Sequence, residues 1–77
     1  MTLKIISTED ILFEGEVTAV HLPGQAGRFT VLRNHATLIA ALTAGTIGYE
    51  SLEGHGELPI QGGMADIDNN VISVCVY

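Results

Sequence analysis

The side chains here that could perform chemistry are few, and their spacing tests each possibility in turn. Asp66 and Asp68 stand two residues apart, as do Glu14 and Glu16. On a strand each pair would share a face. Paired carboxylates can bind a cation or divide into an acid and a base. Acidic residues simply exposed at a turn or edge account for the same spacing. His21, His35 and His55 lie 14 and 20 residues apart, without the short-spaced pair typical of a transition-metal site. His55 sits between two glycines and reads as a hairpin tip. His21 reads as half-buried in a strand, and His35 falls in a loop beside Arg33 and Asn34. Cys75 lies within a strand-like run and reads as a small core residue. Ser7, Ser51 and Ser73 lack a nucleophile motif. Gly24-Gln25-Ala26-Gly27 has neither the Lys-Ser/Thr of a phosphate loop nor a helix after it, so it reads as a hairpin turn. Gly62-Gly63 reads as a close backbone approach or a bulge. The residues predict no catalytic mechanism, no cofactor and no metal.

What must position these residues is a set of short strands. Segments rich in Val, Ile, Leu and Thr alternate with glycines at nine dispersed positions, the pattern of a sandwich or barrel. Strands are predicted over residues 3–6, 11–13, 16–22, 28–32, 46–52, 57–61, 64–67 and 71–76. Pro23-Gly24 stops the third, and Asp68-Asn69-Asn70 makes a turn because Asn and Asp tolerate left-handed backbone angles. Residues 34–45 fit less well. Asn34 could cap a helix, Leu38, Ala41 and Leu42 would share its face, and Gly45 could end it. Propensity predicts a short helix there, with a fully buried strand as the alternative.

The 77 residues form one domain, 1–77. A chain this short buries a modest fraction of its surface and is marginal alone. One cysteine allows no internal disulfide, so a partner is a natural source of further burial. Three basic against nine acidic residues give a net charge of −6. Lys4, Arg28 and Arg33 are too few to bind nucleic acid or anionic lipid, whereas an acidic domain suits a partner with basic patches. No leader or membrane-length apolar run is visible, and the lone thiol suits a reducing compartment. The chain reads as cytoplasmic.

Several segments recur in a recognisable order: Phe13-Glu14-Gly15-Glu16-Val17, then Leu22-Pro23-Gly24-Gln25-Ala26-Gly27-Arg28-Phe29-Thr30-Val31-Leu32, then Asn34-His35-Ala36-Thr37-Leu38-Ile39, then Gly62-Gly63-Met64-Ala65, and finally Asn70-Val71-Ile72-Ser73-Val74. This order resembles the N-terminal β-sandwich domain of the epsilon subunit of bacterial F-type ATP synthases, over essentially the whole chain. The resemblance implies an all-β fold, a small flattened sandwich of about ten short strands in two sheets, in which residues 38–42 form a buried strand. It implies a non-catalytic rotor subunit of the central stalk, docking the gamma subunit to the c-ring at the cytoplasmic face of the bacterial inner membrane. Position by position, Gln25, Ala26, Gly27 and Arg28 match the tip that meets the c-ring. Ser7, His35, Ala40 and Gln61 match positions facing gamma.

The chain also departs from the family. Proline is common at the positions of Arg33 and Thr37, and its loss is expected to loosen that loop. Arg28 stands where an acidic residue is common, which predicts a compensating acidic residue in the partner loop. The sequence ends at Tyr77, before the helical hairpin of full-length relatives. Hairpin-mediated inhibition and nucleotide binding are therefore not predicted for this chain. A two-sided dock predicts exposed apolar residues on one face. The rival readings are a free-standing binding module for peptide or sugar, for which four aromatic rings and no Trp make a thin platform, and a small metal-dependent enzyme needing His35 clustered with Asp66 or Asp68.

Overall fold

The computed structural model describes residues 1–77 as nine strands without a helix: β1 (Thr2–Ile6), β2 (Ile11–Glu16), β3 (Ala19–Gly24), β4 (Gly27–Leu32), β5 (Leu38–Leu42), β6 (Gly45–Ser51), β7 (Gly54–Ile60), β8 (Gly63–Asp68) and β9 (Val71–Val76). The fold class is the expected all-β one, with nine strands where about ten were expected. Their hydrogen bonding forms one continuous sheet, ordered β2-β1-β9-β8-β5-β3-β6-β7, with β4 also on β3. The sheet curls over itself until Phe13 of β2 meets Tyr49 of β6, ring centroids 4.1 Å apart. Two layers result, β2-β1-β9-β8-β5 and β4-β3-β6-β7.

The layers stay joined because β3 changes partner along its length. Ala19, Val20 and His21 pair with Glu50, Tyr49 and Gly48 of β6, while Gly24 pairs with Leu42 of β5. Pro23 sits between these two pairings. It has no N–H to continue a ladder, and its carbonyl accepts instead from the Thr43 amide at 2.8 Å.

Alternation fills the interior. Leu3 and Ile5 of β1, Ala65 and Ile67 of β8, and Ile72, Val74 and Val76 of β9 point inward, against Val20, Leu22, Val31 and Ile47 of the other layer. Each Val, Leu or Ile among these contributes about 1.5–3 kcal/mol on full burial. No charged or polar side chain shares this core.

Residues 38–42 form a strand, not the short helix that propensity predicts. β5 is held on one side by β8, from Leu38↔Ile67 to Leu42↔Gly63, and on the other by the β3–β4 turn, where the Gln25 amide donates to the Ala41 carbonyl. These long-range ladders outweigh a helical preference of a few tenths of a kcal/mol per residue. Nor is the strand fully buried: Leu42 is, but Ile39 is 67% exposed.

The Asn-rich turn reads as the sequence predicts. Asn69 and Asn70 take φ of 50° and 62°, closing the Asp68↔Val71 end of the β8–β9 hairpin. Gly63 marks a close approach. At φ 156°, a Cβ there would collide with the Cys75 carbonyl oxygen and lie 3.0 Å from Val76 Cα.

Candidate functional site

The outward sides of the two layers differ in chemistry. On the β5-β8-β9-β1-β2 layer, cross-strand pairing aligns Ala41, Met64, Cys75, Ile6 and Ile11 in one row. The β1–β2 register slips between Ile5 and Ile6, leaving Leu12 as an unpaired extra residue beside Ile11. In this area Ile11, Leu12, Ile39 and Met64 are all exposed. The next row is polar: Ile39 is followed by Asp66, Ser73, Lys4 and Glu14. Its neighbour bonds across the strands, with the Thr37 hydroxyl donating to Asp68 at 2.9 Å and the Thr2 hydroxyl to Glu16 at 2.8 Å. Glu16 also pairs with the N-terminal ammonium at 3.2 Å. The Thr2 hydrogen bond, then the ammonium, holds its carboxyl below the usual carboxylate range.

The outward side of the β4-β3-β6-β7 layer is mostly polar, with Leu32 of β4 its large exposed apolar side chain. His21 Nε2 lies 2.7 Å from Glu50 Oε2, and its Nδ1 lies 2.9 Å from Thr30 Oγ1. A carboxylate only accepts, so Nε2 carries the proton and Nδ1 accepts from the hydroxyl in the neutral ring. The imidazole thereby ties β4, β3 and β6 together. Arg28 lies beside it and donates from Nη1 to the Thr46 carbonyl at 2.7 Å. Antiparallel continuation of the β3–β6 register would set Pro23 opposite Thr46, and proline offers that carbonyl no donor. The guanidinium supplies one.

The residues matched to partner contacts fall into two groups. Gln25 and Ala26 form the two-residue turn closed by Gly24↔Gly27, and with Gly27, Ala40 and Phe29 they line a notch between that turn and β5. Arg28 belongs to the same tip by backbone, but its side chain is committed to β6. Ser7 follows the Ile6 end of β1, and Gln61 donates its amide to the Tyr77 carbonyl. Both therefore lie at the end where β9 finishes, which is also the end of the β3–β4 turn. His35 does not join them. It stands beyond the far end of β4, its amide bonded to Leu32 and its Nδ1 donating to the Ala36 carbonyl at 2.7 Å. Its loop is pinned to the β8–β9 turn, where the Asn34 amide donates to Asn70 Oδ1 at 2.7 Å and Asn70 Nδ2 donates to Asn34 Oδ1.

Sequence reasoning missed the roles of Arg28 and His21, since their partners lie 18 and 29 residues away. It also placed His55 at a hairpin tip, whereas His55 is paired with Glu50 inside β7. Cys75, read as a core residue, is exposed. No three His, Cys, Asp or Glu side chains gather in a group able to hold a metal ion, and no helix is long and apolar enough to cross a membrane.

These features define a small all-β domain with an apolar row beside polar rows on one outer side and a mostly polar surface on the other. Its residues 1–77 match the family model described as the β-sandwich domain of the ATP synthase delta/epsilon chain. The chain belongs to that family. It is 39% identical over 75 residues to the ATP synthase epsilon chain of Campylobacter jejuni subsp. doylei and 38% identical over 74 residues to that of Leptospira interrogans. Each alignment covers 96% of this chain but 58% of the relative, so the chain spans little more than half the length of those proteins. The fold also matches a chain in the Euglena gracilis mitochondrial ATP synthase, described as OSCP/F1/c-ring, at TM-score 0.88 and 22% identity, covering 96% of this chain and 48% of the other. A chain in the Tetrahymena thermophila central stalk/c-ring structure matches at 0.81 and 11%, covering 97% and 61%.

Proposed function

We propose that the chain acts as a non-catalytic rotor subunit of the F-type ATP synthase, docking gamma to the c-ring at the cytoplasmic face of a bacterial inner membrane. The carrying observation is an exposed apolar row on one outer face of a member of the delta/epsilon family. Ile6, Ile11, Leu12, Ile39 and Met64 lie on one side, and a domain of 77 residues leaves such side chains outside its core most readily where a partner covers them. Gamma covers this face, with Ser7, Gln61 and Ala40 near its upper edge, while the tip at Gln25, Ala26 and Gly27 meets the ring. Arg28 supports that tip from behind. His35, at the opposite end, marks the far limit of the gamma contact. A stable contact buries roughly 1,200–2,000 Å² in total, a large share of the 4663 Å² this domain exposes.

The test is a pull-down with this chain as bait against gamma and against the c-ring from the same organism. Gamma retained by the wild type and lost with Met64→Asp, at unchanged circular dichroism, supports the reading. Failure to retain gamma, alone or with the catalytic hexamer, overturns it.

A further inference from the structure

We propose that the notch between the β3–β4 turn and β5 seats one large apolar side chain of gamma, and that Arg28 is the positioning residue that holds the notch in shape. This rests on the function proposed above and adds the chemistry of one contact to it.

The notch has a volume of about 400 Å³, and none of its lining residues carries a charge. Ala26, Gly27 and Phe29 form one wall, and Leu38, Ile39 and Ala40 form the other. In a chain with nine carboxylates, an uncharged recess at the tip selects its occupant. A charged or strongly polar loop would lose hydration there without gaining a partner. An aliphatic or aromatic side chain loses nothing and gains burial, the arrangement of an anchor residue in a pocket. The position favours gamma over other occupants. Ile39 and Ala41 belong both to the notch and to the outer face of β5, so a partner covering the apolar row reaches the recess over continuous surface.

Arg28 is the nearest cation, and its guanidinium is turned away. Its bond to the Thr46 carbonyl spans β3 at the point where Pro23 breaks the ladder. On the other side the tip is tied to β5 by the Gln25 amide bond to Ala41 at 3.0 Å. The tip is thus held from two directions, and the arginine acts through the backbone it anchors and not through its charge.

Titration calorimetry of the purified chain with gamma, and separately with the c-ring, tests both parts. Ala40→Leu fills the recess, and Ile39→Glu places a charge on its rim at an already exposed site. Each is expected to weaken gamma binding roughly ten-fold or more, while Leu52→Ala, at the exposed β6–β7 turn, leaves it unchanged. Arg28→Met is expected to weaken gamma binding without altering its salt dependence and to speed hydrogen exchange at the Gln25 amide. Gamma binding unchanged in both Ala40→Leu and Ile39→Glu overturns the notch and leaves the docking function standing; absence of wild-type binding removes the docking function itself. Loss confined to the c-ring, or to self-association of the chain, also overturns the assignment. An Arg28→Met variant with a reduced salt dependence and unchanged Gln25 exchange overturns the positioning role.

Discussion

The Tyr49 ring lies directly over Gly56, its cross-strand partner, so closely that a Cβ on that glycine would overlap the phenol. The ring cannot swing freely aside, because its other neighbour is Phe13 of the opposite layer, 4.1 Å away between centroids. Gly56 therefore makes room for the contact that closes the curled sheet.

Gly56→Ala is expected to destabilise the domain by about 1–3 kcal/mol, the range for overpacking a filled site. Each kcal/mol corresponds to a melting shift of about 4–8 °C at this size. Gly48→Ala is the matched control. There the nearest atom to a new Cβ is His21 Cδ2 at 3.5 Å, an ordinary contact, so its melting temperature should stay close to wild type. Thermal denaturation of the two variants side by side decides the matter.

A larger loss is expected from Gly63→Ala. The obstruction is the backbone of β9, at Cys75 and Val76, which no rotamer change can relieve, and the residue's φ of 156° is one that L side chains rarely adopt. The variant should lose more than about 3 kcal/mol and fail to give a cooperative unfolding transition. A melting temperature equal to wild type would refute this account of the double glycine.

Asn34 and Asn70 hold the loop that carries His35. Asn34→Ala removes the side-chain acceptor for Asn70 Nδ2 and asks alanine to adopt φ near 64°, for an expected cost of about 1–2 kcal/mol. Asn34→Gly keeps the backbone freedom and should cost less. Urea titration would resolve the difference, and an equal loss in both would locate the effect in the hydrogen bond alone.

The carboxyl of Glu16 is held low by the Thr2 hydroxyl and then by the N-terminal ammonium. A carboxylate depressed in the folded state contributes stability above its unfolded value of about 4.3. That contribution disappears as pH falls through the lower folded value. Glu16→Gln should therefore lower the melting temperature slightly at pH 7 and match wild type near pH 2. A wild-type advantage that persists at pH 2 would contradict the assignment.

Much of the fold was legible because strands announce themselves locally. The Val71–Val76 alternation and the Asn69-Asn70 turn each depend on neighbours in sequence, and each took its predicted form, whereas β3 runs on through Pro23 and Gly24 instead of stopping before them. β5 was obscured because Leu38-Ile39-Ala40-Ala41-Leu42 satisfies helical spacing as well as a strand does; only β8 and the β3–β4 turn decide between them. The tip at Gln25, Ala26 and Gly27 was placed correctly as a turn. The direction of the Arg28 side chain was hidden because its acceptor is a backbone carbonyl on another strand. His35 was grouped with Ser7, Ala40 and Gln61 by the resemblance alone, and the six-residue strand β4 sets it about 17 Å from the tip at strand rise.

The parallel pairing of β1 with β9, from Thr2↔Val71 to Ile6↔Cys75, bears on how the molecule comes into being. Leu3 and Ile5 are synthesised well before Ile72 and Val74, yet they find these neighbours only when the ninth strand has left the ribosome. Until then β1 can pair only with β2, and its other edge stays open to stray association. Closure over so wide a separation makes for slow folding, and a nascent chain stalled before Val71 is a ready client for a chaperone.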